Sequence, residues 1–199
     1  MQAVINSGST ITALVVEGLN DDVFDTIDVG RTRTNADIFA INGVQNYASA
    51  ASLMNPFIAL LEKRPKSCAN STLSKHEAYQ YFLEYQDNIE SIKYPRRYMS
   101  IPPKYVYACQ AYLKTFNSAE DVDPFFEQLY TGKVEDGFDQ VLLLRNWFIK
   151  VLADKRTKPQ PVEYVAKILK AFKNFKEGKN PSFLRWHEST GESFPYDAD

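Results

Sequence analysis

Arg31 and Arg33 flank Thr32 just after Gly30, and Thr34 and Asn35 follow at once in the stretch GRTRTNAD. Two guanidinium forks, two hydroxyls and the unpaired amides of a helix start are the groups that hold a phosphate or a carboxylate. Arg31, Arg33 and Thr34 are therefore the anion-binding candidates. The same residues also fit a purely structural arrangement, in which Arg31 or Arg33 pairs with Asp28 or Asp37 and pins the loop. Upstream, Asp21, Asp22, Asp25 and Asp28 raise the question of a divalent cation. They lack the alternating ligands and the glycine of a calcium loop, and acids at this position also suit the positive end of a helix. A second set is basic. Lys155, Arg156, Lys158, Lys167, Lys170 and Lys173 lie close together in the chain and are the candidates for contact with nucleic-acid phosphates. The alternative for these lysines is an ordinary solvated helical face.

Other chemistries leave no trace in the residues. His76 and His187 have no cysteine or second histidine at metal-ligand spacing, so no metal is expected. A phosphate-cradling glycine loop and a dinucleotide fingerprint are both absent, so no cofactor is expected. No serine or cysteine stands in a nucleophile elbow. Cys68 and Cys109 are the only cysteines, too few for a disulfide framework, which favours a cytoplasmic setting. No apolar run reaches the length of a membrane span, and no signal-peptide pattern opens the chain. The charge is unevenly spread. Residues 1–143 hold 12 Lys/Arg and 18 Asp/Glu, whereas residues 144–185 hold 11 Lys/Arg and three Asp/Glu, a balance of +8. The 144–185 segment is thus where a nucleic acid would be met, if one is a partner.

The elements that must position these residues are mostly helices. Only residues 10–16, TITALVV, read as a strand, and one strand is not stable alone. An unpaired edge invites strand addition, so 10–16 is a route to a protein partner or a homodimer. Thr34 or Asn35 is placed to cap a helix through about Ile41. Residues 46–63 form the next, with Pro56 as a kink or a split. Ser74 and Glu77 make a capping box that opens a helix to about Lys93. Further helices follow at about 103–116, 120–131, 138–154 and 160–177. The stretch VLLLRNWFIKVL at 141–152 is apolar almost all round, which predicts a central helix with Trp147 deeply buried. In the last long helix Val162, Val165, Leu169 and Phe172 form the inward stripe, with Lys167 and Lys170 pointing outward and Lys173 near the boundary. Trp186 is expected to anchor the C-terminal tail, with Phe183 and Phe194 beside it. The fold class is mainly α, a multi-helix bundle with one or two short strands near the N-terminus.

The stretch VINSG…ITALVVEGL…DVFDTIDVGRTRTNADIFAINGVQN resembles the middle of phage- and mobile-element proteins with a ParB-like (sulfiredoxin-like) N-terminal domain. Ala3, Val4, Ser7 and Gly8 fit that family's helix, and Asp28, Gly30, Arg33, Thr34, Ala36 and Asp37 fit its later motif. FFEQLYTGKVEDGFDQVLLLRNWF and KILKAFKNFKEGKNPSFLRWHESTGESFP are similar to its helical C-terminal half. The family's Asp-Gly-Gln-His-Arg motif would stand before Met1, so the chain reads as the family without most of its first domain. No catalytic residue of that part carries over. Arg33, Thr34 and Asp37 transfer as motif positions only. The resemblance implies a residual piece of an α/β domain at 1–33, a helical domain at 34–180 and a tail at 181–199 packed on it. It also implies a non-catalytic module that associates with nucleic acid or a partner. The alternatives are a nuclease- or nucleotide-related enzyme or its remnant, with phosphate chemistry near Arg31, Arg33 and Asp37, and a protein-only interaction module or an inhibitor of a host system.

Overall fold

The computed structural model describes residues 33–69, 73–93, 102–136, 139–154, 158–186 and 191–196, together with Thr10, Thr12, Glu17 and Gly18. Of the expected strand at 10–16 only Thr10 and Thr12 are described, and the helices before residue 30 and the Arg31 loop lie outside the described residues. The chain divides into two compact units, Met1–Arg33 and Thr34–Asp199. The second unit holds the helical body.

Its described part is mainly α, with eight helices. α1 is Asn35–Ile41, α2 Tyr47–Leu61, α3 Lys75–Glu84, α4 Gln86–Glu90, α5 Pro103–Phe116, α6 Ala119–Thr131, α7 Asp139–Ala153 and α8 Pro161–Lys176. A single 3₁₀ turn, Pro65–Cys68, follows α2. Local chemistry sets most of the starts. Thr34 and Asp37 form a reciprocal capping box at α1, and Ser74 and Glu77 do the same at α3. Ser118 caps α6, and Pro103 and Pro161 open α5 and α8, where a missing amide costs nothing. Pro56 neither splits nor ends α2, which runs through it without a break. The helix expected over 74–93 does break. Tyr85 leaves helical backbone at φ −112°, ψ 23°, and its ring meets Phe57 edge-on at 5.3 Å.

α2 and α5 pack against each other at the centre. α1 and α3 cover one side of α2, and α8 packs on α5, α6, α7 and the 3₁₀ turn. Leu53, Met54, Phe57 and Leu60 of α2 meet a core that includes Val106, Cys109 and Leu113 of α5, Phe125 and Leu129 of α6, and Ile168 and Phe172 of α8, all fully enclosed. Each such large side chain contributes ~1.5–3 kcal/mol by leaving water. Edge-on ring pairs join the helices, with Phe39 against Tyr79 at 5.4 Å and Phe125 against Phe172 at 5.5 Å. Pairs of this geometry add ~0.5–1.5 kcal/mol beyond their burial.

Two burial expectations are corrected. The central helix is α5, in which every residue from Tyr105 to Leu113 is buried. Its Ala108, Cys109 and Ala111 are small, which lets neighbouring backbones approach. α7 is peripheral: Leu142, Ile149 and Leu152 are exposed, and Trp147 is only half-buried. An apolar circumference permits burial but does not require it, because burial depends on how many neighbours arrive. In the tail, Trp186 is buried and meets Phe194 edge-on at 5.9 Å, and Phe194 and Tyr196 pack on the core. Phe183 does not join them. It is 61% exposed, with the Arg185 guanidinium over its ring.

Candidate functional site

At the start of α1, the groups expected to receive an anion already hold one. The Thr34 amide and hydroxyl both donate to Asp37 Oδ2, at 2.6 and 2.8 Å, and the Asp37 amide donates back to Thr34 Oγ1 at 3.2 Å. The carboxylate of Asp37 thus sits where a phosphate would. Arg33 is half-buried just before the cap. Arg31 lies outside the described residues.

The basic segment is largely engaged within the unit. Lys167, expected on the outer face, is 5% exposed. Its ammonium lies 2.7 Å from Glu163 and 4.1 Å from the centre of the Trp147 ring, an ion pair reinforced by a cation–π contact. The physical reason is that four elements surround α8, so its buried arc extends well past the apolar stripe to the side of α7. Lys170 donates to the Arg185 carbonyl at 2.7 Å and to Glu192, which ties the tail to α8. Lys176 donates to Asn117, and Lys179 pairs with Glu177 at 2.7 Å. Lys158 and Lys173 are exposed. Lys155 and Arg156 lie outside the described residues. Of the six candidates, Lys167 is thus turned inward, Lys170 is engaged with the tail, and Lys158 and Lys173 stand on the surface.

A concave feature of the described residues lies elsewhere, between α5, α6 and the end of α4. It is a pocket of about 210 Å³ lined by Ser91, Lys93, Gln110, Asp123, Phe126, Glu127, Tyr130 and Thr131. The helix period builds it. Asp123, Phe126, Glu127 and Tyr130 recur at three and four residues on α6, and Gln110 and Lys114 stand one turn apart on α5. Ser118 directly follows the last residue of the α5 turn, Asn117, so the two helices are joined by a tight connection and stay adjacent. Phe126 and Tyr130 are buried and form an apolar wall.

A polar network runs along the pocket. The Tyr130 hydroxyl donates to Gln110 Oε1 at 2.9 Å, and Gln110 Nε2 donates to Asp123 Oδ1 at 3.4 Å. Lys114, whose side chain is 6% exposed, lies 2.7 Å from the same Asp123 oxygen and donates to Ser91 Oγ at 3.1 Å. Gln110 is itself 4% exposed. At the rim, the Lys93 ammonium and the Glu127 carboxylate have no hydrogen-bond or ion-pair partner among the described residues. Sequence reasoning did not single out this pocket. Its signal was the i, i+4 pair Gln110 and Lys114 beside the run of apolar and aromatic residues at 105–113, facing a polar-aromatic stripe on the next helix.

The thiols are held inert. Burial pushes Cys68 up to about 12 and Cys109 well above the usual thiol range, with the nearby Cys68 adding to the latter. Among the described residues no group of three or more His, Cys, Asp or Glu is placed to hold a metal ion, and no helix is long and apolar enough to cross a membrane. Comparison of the chain with protein-family models, with curated proteins and with solved structures returns no match.

Proposed function

We propose that this chain is a non-catalytic binding module of a phage- or mobile-element-type protein, and that its ligand enters the pocket between α5 and α6. The observation that carries the reading is the pocket itself. Gln110 and Tyr130 line it and are bonded to each other, Lys114 pairs with its Asp123, Phe126 lies behind as an apolar wall, and two charges on the lining are unengaged among the described residues. This combination of an apolar lining and a few fixed polar groups is the usual build of a small-ligand site. The inert thiols favour binding over covalent chemistry. The phage assignment rests on the motif residues Arg33, Thr34 and Asp37 and on the C-terminal stretch.

A small-molecule fragment screen read by protein-observed nuclear magnetic resonance tests the proposal. Hits should move the Gln110 side-chain amide and the backbone of residues 123–131. A screen whose hits all lie elsewhere would overturn it, as would metal-dependent turnover of nucleotides or nucleic acid that is lost in Asp37→Asn.

Nucleic-acid association is the second reading, and the exposure of Lys158 and Lys173 is what favours it. With Lys167 and Lys170 engaged internally, these two described lysines supply a log–log salt slope of no more than about 2. Filter binding at rising salt, with Lys158→Glu/Lys173→Glu as the control, measures that slope.

A further inference from the structure

We infer that the α5–α6 pocket is a site for a single zwitterion of amino-acid size, its carboxylate at Lys93, its ammonium at Glu127 and its side chain against the Tyr130 ring. The inference deepens the binding reading above and rests on it. Three observations define the ligand. The first is charge. Among the described residues, Lys93 on the lining and Lys114 beside it oppose Asp123 and Glu127, so these four charges balance. Lys114 and Asp123 neutralise each other at 2.7 Å, which leaves, among the described residues, one unengaged cation and one unengaged anion on the wall. A net anion meets Glu127 unopposed, and a net cation meets Lys93. A neutral ligand with separated charges satisfies both. A divalent metal finds only one unengaged carboxylate, too few for the six to eight oxygen ligands calcium takes.

The second is size. A cavity of ~150 Å³ holds a benzene ring, so about 210 Å³ admits a body somewhat larger. That is the scale of one amino acid of roughly ten non-hydrogen atoms. A nucleotide exceeds it and would bring phosphates against two carboxylates. The third is the lining. Phe126 and the Tyr130 ring are apolar, while Gln110 is oriented from both ends, by Tyr130 at its oxygen and by Asp123 at its nitrogen. An amide fixed in this way has a second nitrogen-bound hydrogen, a donor suited to a ligand carboxylate oxygen.

Calorimetric and nuclear magnetic resonance titrations of the full chain with L-leucine, L-methionine and L-phenylalanine test the inference, against N-acetyl-L-leucine and L-leucinamide. The expected result is saturable binding of at least one amino acid, with shifts confined to the pocket. Acetylation, which removes the ammonium, and amidation, which removes the carboxylate, should each weaken binding about tenfold, the scale of one charge-assisted hydrogen bond. Glu127→Gln should erase the difference between leucine and its acetyl derivative, and Lys93→Gln that between leucine and its amide. Both positions are exposed, so neither substitution threatens the fold. Absence of saturation by all three amino acids up to about 10 mM, or equal binding of the blocked forms, overturns the inference. If neutral fragments bind the pocket while zwitterions do not, the inference falls and the binding module stands. If nothing shifts Gln110, both fall.

Discussion

Lys167 sits where an ammonium is tolerated only because Glu163 and Trp147 meet it. Its long stem is apolar and its head is the only charged part, so a lysine can be buried along α8 without breaking the helix. Reversal of its charge is a different matter. Lys167→Glu places a second carboxylate beside Glu163 at a nearly enclosed position and should destabilise the protein by ~3–5 kcal/mol. Lys167→Met keeps the stem and should cost far less, because Glu163 retains some water. Urea unfolding of the two variants measures the gap, and similar losses in both would refute the buried pair. The cysteines make a prediction about alkali. An unfolded thiol ionises near 9.0, whereas Cys68 in the fold holds its proton to about 12. The folded form thus binds one more proton in that window. Stability is fully present below pH 9 and falls as the pH rises from there toward 12, by up to ~1.4 kcal/mol per pH unit per thiol. Cys109 acts in the same direction, as do Tyr107 and Tyr164, which burial also raises. In Cys68→Ala the decline between pH 9 and 11 should be shallower, and an unchanged slope in chemical denaturation would remove Cys68 from the account.

At the scale of the element, the joint between α6 and α7 is the most demanding. Gly132 ends α6 in a left-handed conformation, φ 72°, and its amide donates to Gln128 at 2.8 Å. Arg145 reaches over from α7 and donates to the carbonyls of Leu129 at 2.6 Å and Tyr130 at 3.0 Å, closing the open end of α6. A methyl group at 132 would lie 2.9 Å from Arg145 Nε. Gly132→Ala therefore meets both a conformational penalty of ~1–2 kcal/mol and a displaced guanidinium. Its thermal midpoint should fall further than that of Thr34→Ala, which loses one exposed cap worth ~1 kcal/mol. Equal shifts in calorimetry would mean that Arg145 yields freely. The contrast shows what the residues alone reveal. Helix ends were legible because a cap is local: Thr34 with Asp37, Ser74 with Glu77, Pro103 at the head of α5. Depth was not legible, because it is decided by elements distant in the chain. Hence α5 is central although the α7 sequence is the more apolar, and Lys167 is enclosed although it is a charged residue outside the apolar stripe. The pocket was missed for the same reason. Gln110, Asp123 and Tyr130 become a site only when two helices fold back on each other.

Over the whole helical unit, the tail is held by a small number of strong points. Trp186 fills a buried position, its ring nitrogen donates to the Ser193 carbonyl at 3.4 Å, and Lys170 grips both the Arg185 carbonyl and Glu192. Trp186→Ala should cost ~3–5 kcal/mol if the cavity cannot collapse. Removal of residues 181–199 should lower the melting temperature by several degrees, at ~2–4 °C per kcal/mol for a chain of this size. An unchanged midpoint would mean that the tail adds nothing to the fold. Lys170→Met should leave the midpoint nearly intact yet make the tail easier to cleave in limited proteolysis, since the exposed ion pair contributes only ~0–1 kcal/mol. The two tryptophans divide between these regions, Trp147 beneath an ammonium against α8 and Trp186 within the tail. Intrinsic fluorescence consequently holds two separable signals. Emission from Trp147→Phe reports the docking of the tail alone, and emission from Trp186→Phe reports the bundle alone, so the order in which the molecule comes apart can be followed with no label attached.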